Sequence, residues 1–295
     1  MSPGKIEDAA QTNAAPTDTS GLLSASHADG QWNPDTVLST LHSPPQTGSS
    51  SPLPFFHLLE RLKTTKREGW RRFGINHGES ISDHMYRMSI ITLLCPPTLA
   101  AKLDISKCTR MALVHDMAEA LVGDITPVDG VSKGEKSRRE ADTMDYLCTQ
   151  LLGKVHEGSG QAEAIRSLWQ EYEDGETAES VFVHDVDKME LLLQMLEYER
   201  QHCCKKDLSE FAWVAGRIVL PEVQAWASEL LKERTQAWDD HGRANAGTKR
   251  IIVGGQAAEL SEERKRQQDE YYGNGYAKEA KLDAGAASGT AEKSG

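Results

Sequence analysis

The chain is short of positive charge. It carries 33 Lys and Arg against 45 Asp and Glu, a formal net charge of −12. Clustered Lys and Arg hold proteins on a phosphate backbone, so this balance speaks against nucleic-acid binding. It leaves room for a small phosphate substrate, because a bound cation reverses the local potential. Cysteine is scarce as well. Cys95, Cys108, Cys148, Cys203 and Cys204 are odd in number and form no C-x-x-C pair, which reads as free thiols in a reducing compartment. No apolar run is long enough to span a membrane. The opening residues, Met1 to Asp8, lack the basic and apolar regions of a signal peptide, and their early acids disfavour a mitochondrial presequence. The expected location is the cytoplasm, with or without the nucleus. The expected partners include neither a membrane nor nucleic acid.

Strand-like alternation is also scarce, and what remains is helical. Residues 1–50 are rich in Ser, Thr, Pro, Gly and Asp and read as a disordered N-terminal tail. Residues 241–295 read as a disordered or partly helical C-terminal tail, with a short helix near 258–272. Between them, 51–240 reads as one all-α domain, a helical bundle. Helices are expected at Phe55–Leu62, after the capping box Ser80-Ile81-Ser82-Asp83, at Ser106–Val122, Lys133–Leu152, Ala162–Glu173, Thr177–His202 and Glu222–Trp238. Pro96-Pro97 ends the second of these. The section Val181–Leu196 is apolar nearly all round and should be central.

The densest chemistry lies in Val114–Asp124. His115 and Glu119 are four residues apart, Asp116 and Glu119 three apart, so on a helix they are neighbours. Gly123 is a natural stop that lets Asp124 fold back over the same spot. Apolar Met111, Ala112, Val114, Ala118 and Leu121 surround them, and buried charges of this kind call for a divalent cation. His84 sits on the preceding helix. A single helical histidine is more often a packed or surface residue than a ligand, and the His115-Asp116 dipeptide is common. The long helix adds His184-Asp185-Val186-Asp187-Lys188-Met189-Glu190. Helical spacing does not choose between Asp185 and Asp187, and each alone reads equally well as a surface acid paired with a base.

His84, His115-Asp116 and a distant Asp resemble the H…HD…D pattern of the HD-domain phosphohydrolases. Longer stretches are similar to one family within them: Arg61-Leu62-Lys63-Thr64, Gly69-Trp70, Glu79 to Met88, Ala112 to Glu119, Val122 to Ile125, Glu135-Lys136 with Arg138-Arg139-Glu140, Leu168-Trp169 with Glu171-Tyr172-Glu173, and Glu197-Tyr198-Glu199. That family is HD-domain-containing protein 2, the 5′-deoxynucleotidases related to the bacterial YfbR type. The resemblance covers about 55 to 235. It implies metal ligands at His84, His115, Asp116 and Asp187. It also implies catalytic acids at Glu119 and Asp124, which with the carbonyl of Ile125 hold a second cation in some descriptions. Trp70 would stand near the nucleotide. The bacterial type has arginine directly before that tryptophan. Here the residue is Gly69, so Arg67, Arg71 and Arg87 are the candidates for holding phosphate, each also readable as a solvated helix charge.

Two imidazoles and two carboxylates suit Mn²⁺, Co²⁺ or Mg²⁺ with positions open for water and a phosphate oxygen. The reading is hydrolysis of deoxyribonucleoside 5′-monophosphates, with Glu119 handling a proton and Asp124 either handling a second or orienting from outside. Its alternatives are another HD reaction on a cyclic nucleotide or a dNTP, and a nucleotide-binding module without turnover. The resemblance also implies a homodimer. Val223, Trp226, Leu230 and Leu231 on the closing helix suit an interface, but equally a core.

Overall fold

The computed structural model describes residues 31–243, apart from residue 159. Residues 1–30 and the expected helix at 258–272 lie outside the described residues. Local signals set the helix boundaries. Helix α1 (Pro34–Leu38) is capped by Asn33, with proline in the first turn where no N–H is needed. Helices α2 (Leu53–Thr64) and α3 (Glu68–Arg72) follow. Ser80 and Asp83 close the expected capping box and open α4 (Ile81–Leu93). Pro96 precedes the short α5 (Pro97–Ala100), and Asp104 caps α6 (Ile105–Val114). After α7 (Glu119–Val122) come α8 (Lys133–Tyr146), capped by Ser132, and α9 (Gln161–Asp174), ended by left-handed Gly175. Helix α10 (Ala178–Gln201) opens on a Thr177–Ser180 box, and α11 (Pro221–Asp240) on proline. A π turn, Leu147–Leu151, extends α8, and a 3-10 segment, Ser209–Arg217, joins α10 to α11. Among the described residues no strand forms; one isolated bridge links Lys66 and Ser80. The protein is all-α.

Helix α10 is central and packs on α4, α6, α9, α11 and the 3-10 segment. Two apolar clusters result. The first gathers α10, α11 and the 3-10 segment with Met88, Met111 and Ala112. The second gathers α1, α2, α7 and α8 with Ile81, Met85, Val114 and Met117. Helices α4 and α6 therefore serve both clusters. His84 lies between Ile81 and Met88 along the chain, and His115 between Ala112 and Met117, so both histidines stand on the seam. Val223, Leu230 and Leu231 of α11 are buried in the first cluster, facing a core.

Two expectations need correction. Residues 31–50 are not tail: Trp32, Val37 and Leu38 are buried in the second cluster. A composition rich in Ser, Thr and Pro masks these few apolar anchors. The expected single helix Ser106–Val122 is also broken. His115–Ala118 form turns, in which the N–H groups of Met117, Glu119, Ala120 and Leu121 bond three residues back instead of four. The chain winds more tightly just where the polar residues stand. Beyond α7, Gly123 adopts φ 77°, a region open to glycine, and turns Asp124 back toward α3.

Candidate active site

The two histidines spend one ring nitrogen each on the protein. His84 Nδ1 lies 2.5 Å from Glu190 Oε2, and His115 Nδ1 lies 3.0 Å from the Ala112 carbonyl. A carbonyl only accepts, so Nδ1 of His115 carries the proton. Glu190 is held ionised against its burial by His84 and Arg87, so it accepts from His84 in the same way. The Nε2 atoms are thereby the ones turned inward, and that of His84 offers a lone pair once its proton has left. Neither has a hydrogen-bond partner, although both are buried. Buried nitrogens without partners are costly and rare, and this pair converges on two carboxylates. His84 Nε2 stands 3.2 Å from Asp187 Oδ1 and 3.7 Å from Asp116 Oδ2, and His115 Nε2 stands 3.2 Å from Asp116 Oδ2. Ligand atoms of His84, His115 and Asp187 lie within 4.8 Å of one another, a separation a single cation spans. The donor set fits a divalent metal, with Glu190 and the Ala112 carbonyl orienting the rings from behind.

The charges agree. Burial pushes the Asp187 and Asp116 carboxyls up, but the two histidines and Arg67 outweigh it and hold both well below the usual carboxylate range. Burial and Arg67 push His84 down, while Glu190 and Asp187 prevail and lift it to about 10. A cation competes for that Nε2 position, so binding it releases a proton. Tyr172 donates its hydroxyl to Asp187 Oδ2 at 3.3 Å. Asp185 goes elsewhere: both its oxygens accept backbone N–H groups of Val219 and Leu220, at 2.7–3.0 Å, at the start of α11. His184 also packs away its ring, with Nε2 on the Tyr172 carbonyl, and burial pushes it down to about 3.

Glu119 is buried beside this group, and its Oε2 has no hydrogen-bond partner. Burial and then Asp116 and Asp124 push its carboxyl well above the usual range, against Lys136, whose Nζ lies 3.9 Å from Oε1. Asp124 accepts the Glu68 N–H at 2.6 Å, which pins the loop after α7 to the start of α3. Ile125 is buried and borders the same cavity.

That cavity, about 310 Å³, opens over Asp116, Glu119, Asp124 and Asp187. Of the three arginine candidates, Arg67 lines it and pairs with Asp116 at 3.2 Å. Arg71 turns to Glu68. Arg87 stands behind His84, bound to Glu190, Glu197 and Gln194. The other cations on the cavity wall are Arg72, Lys133, Lys136, Lys188 and Arg217, none of them given a role from the sequence, although Lys136 and Lys188 lie within stretches it singled out. Lys133, Lys136 and Lys188 sit on helical stretches where a lysine reads as solvated; the packing of α8 and α10 half-buries Lys136 and Lys188 at the cavity, while Lys133 stays exposed at its edge. Trp70 lines the cavity but is buried, its indole N–H on Glu79 Oε1 at 2.8 Å and its ring against Phe211.

The chain is similar to known proteins. Residues 59–226 match the HD domain family. The chain is 48% identical over 190 residues to 5′-deoxynucleotidase hdd1 of Schizosaccharomyces pombe, covering 64% of this chain and 93% of that protein. It is 39% identical over 189 residues to human 5′-deoxynucleotidase HDDC2, covering 64% of this chain and 88% of that one. Among solved structures, HD domain-containing protein YGK1 aligns with a TM-score of 0.51 at 33% identity, covering 70% of this chain and all of its own.

Proposed function

The chain belongs to the HD-domain family, and on that premise we propose that it is a metal-dependent 5′-deoxynucleotidase, releasing phosphate from deoxyribonucleoside 5′-monophosphates. One observation carries the reading. Two histidines with committed Nδ1 atoms aim unpartnered Nε2 atoms at two ionised aspartates, beneath a cavity walled by cations. His84, His115, Asp116 and Asp187 are the ligands, and the cation is Mn²⁺, Co²⁺ or Mg²⁺. When bound, it neutralises phosphate charge and lowers the pKa of water.

The remaining work falls to the chain. Arg67 and Lys136 face the phosphate; Trp70 shapes the wall beside the nucleotide. In the reaction a water molecule gives up a proton as its oxygen bonds to phosphorus, the P–O5′ bond breaks, and the 5′ oxygen gains a proton. Glu119, whose carboxyl burial pushes well above the usual carboxylate range, handles one of these transfers. Asp124 holds the loop carrying Ile125 against α3, and with Glu119 and the Ile125 carbonyl it offers oxygens for a second cation.

Purified protein with each of the three cations should release phosphate from dAMP or dTMP. No release across a nucleotide panel overturns the enzyme. Turnover confined to cyclic nucleotides or dNTPs keeps the family and overturns the substrate. The protein also pairs with a second copy. Tyr86, Ile90, Leu93 and Leu94 at the outer side of α4, with Leu113 on α6, leave large apolar side chains exposed on two adjoining helices. Leu94→Asp should convert a dimer to a monomer in sedimentation; an unchanged species would remove this face from consideration. Five free thiols suit a reducing cytoplasm.

A further inference from the structure

The first eight residues of α8, Lys133–Glu140, contain no apolar side chain. Apolar packing of this helix on the second cluster begins only at Ala141 and Met144. Yet this polar half is the part that borders the cavity, through Lys133, Lys136, Ser137 and Glu140. A helix end without its own hydrophobic anchor frays unless something else holds it.

The holder is on the opposite face. Arg138 donates to the Trp32 carbonyl at 3.0 Å, and the Arg139 guanidinium lies 5.6 Å over the Trp32 ring. Both arginines are fixed to Glu135 at 2.8–2.9 Å. Helix α1 packs on α7, which carries Glu119, as well as on α8. At the other end of the segment, the Gly48 N–H donates to the Gln150 carbonyl at 2.8 Å, in the π turn that extends α8. Residues 31–50 thus run the length of α8, fastened at both ends. They lie outside the stretch that matches the HD domain.

We propose that this segment is a clamp that positions the cation-bearing half of α8 at the cavity, with Trp32 as the positioning residue. The proposal rests on the reading of the cavity as a deoxynucleotide site. Helix α8 brings Lys136 to 3.9 Å from Glu119 and 3.4 Å from Glu140, so the clamp sets how that ammonium meets the phosphate. The metal ligands stand on α4, α10 and the turn after α6, whereas helix α1 of the segment packs mainly on α7 and α8.

The test uses the full chain carrying Trp32→Ala or Trp32→Phe. Hydrogen exchange at residues 133–140 should quicken by about tenfold or more in Trp32→Ala, while α10 keeps its protection. KM for dAMP should rise about tenfold, with kcat and the Kd for Mn²⁺ changed less than about twofold. Trp32→Phe keeps a ring under Arg139 and should restore both readouts. Unchanged exchange at 133–140 overturns the clamp. So does faster exchange with an unchanged KM, or a KM effect accompanied by equal loss of Mn²⁺ binding, which would signal general loosening. If the unaltered protein releases no phosphate, the enzymatic reading fails, and the exchange arm still decides the clamp.

Discussion

One helix supplies acids to two buried charge clusters of opposite character. Near the C-terminal end of α10, Glu199 is fully buried and fully answered. Arg234 donates to both its oxygens at 2.7 Å, Trp238 adds its indole N–H at 2.9 Å, and the Leu208 N–H adds a fourth bond at 2.8 Å. Twelve residues earlier, about 18 Å along the axis, Asp187 belongs to a group that does not close. There His84 Nε2, His115 Nε2 and Glu119 Oε2 have no hydrogen-bond partner. Both places bury charged groups, Glu199 and Arg234 in one and Glu119 in the other, while Asp187 keeps part of its side chain exposed, so burial does not identify a site. What distinguishes them is whether the protein completes its own hydrogen bonds. The first cluster locks α10 to α11; in the second, Glu190 and the Ala112 carbonyl orient two imidazoles toward carboxylates, a set suited to a cation.

The comparison breaks most visibly if ligands are removed from the open cluster. Asp187→Ala should abolish cation binding and lower kcat/KM by about a thousandfold or more, since the metal supplies several kcal/mol of transition-state stabilisation at about 1.4 kcal/mol per decade. Without added cation its Tm should hold. Isothermal titration with Mn²⁺ and thermal melts check both, and a metal-free melt well below that of the unaltered protein contradicts the assignment. Glu199→Ala should do the reverse. Removing the carboxylate that buried Arg234 bonds twice costs about 3–5 kcal/mol, with Asp207 at 3.2 Å from the guanidinium left as a weaker partner, read by urea unfolding, while kcat per folded molecule stays unchanged.

Smaller changes sharpen the contrast. Glu119→Gln should lower kcat by about a hundredfold or more with the cation retained; a loss of cation affinity of the same size would make Glu119 a ligand only. Glu190→Gln weakens the orientation of His84 and should cost about 10–100-fold in cation affinity or activity, measured side by side with Glu119→Gln. The least effect belongs to Glu140. Burial, only partly offset by Lys136, pushes its carboxyl up to about 7 from an ordinary 4.5. The unfolded chain ionises first, so this group lowers stability as pH rises from about 4.5 to about 7. Glu140→Gln should therefore stabilise the protein by roughly 1–2 kcal/mol at pH 8, with the gain vanishing near pH 4.

Legibility in the sequence followed locality. The capping box at Ser80, the stop at Gly123 and the long apolar helix around Met189 are signals written within a few residues, and the structure places them as expected. The choice between Asp185 and Asp187 was different. Spacing left it open and the family resemblance leaned to Asp187. The geometry shows why spacing fails: both acids are inside, but one faces the backbone of α11 and the other faces His84. The break at His115–Ala118 was hidden because its residues are compatible with a regular helix, and tertiary packing decides the winding. Lys136 and Trp32 were hidden for a related reason. Each acts across 17 to 107 residues of chain, Lys136 toward Glu119 and Trp32 toward Arg139, and such pairs leave no periodic trace.

The position of the histidines on the seam between two apolar clusters has a thermodynamic consequence. Residues 84, 115–116 and 187 come from three separate stretches of chain, and α4 and α6 border both clusters. A cation held there is a rivet between two hydrophobic halves, and its binding free energy becomes folding free energy. The melting temperature then reads out the free cation concentration, rising by mass action, and a chelator loosens the molecule along that seam first.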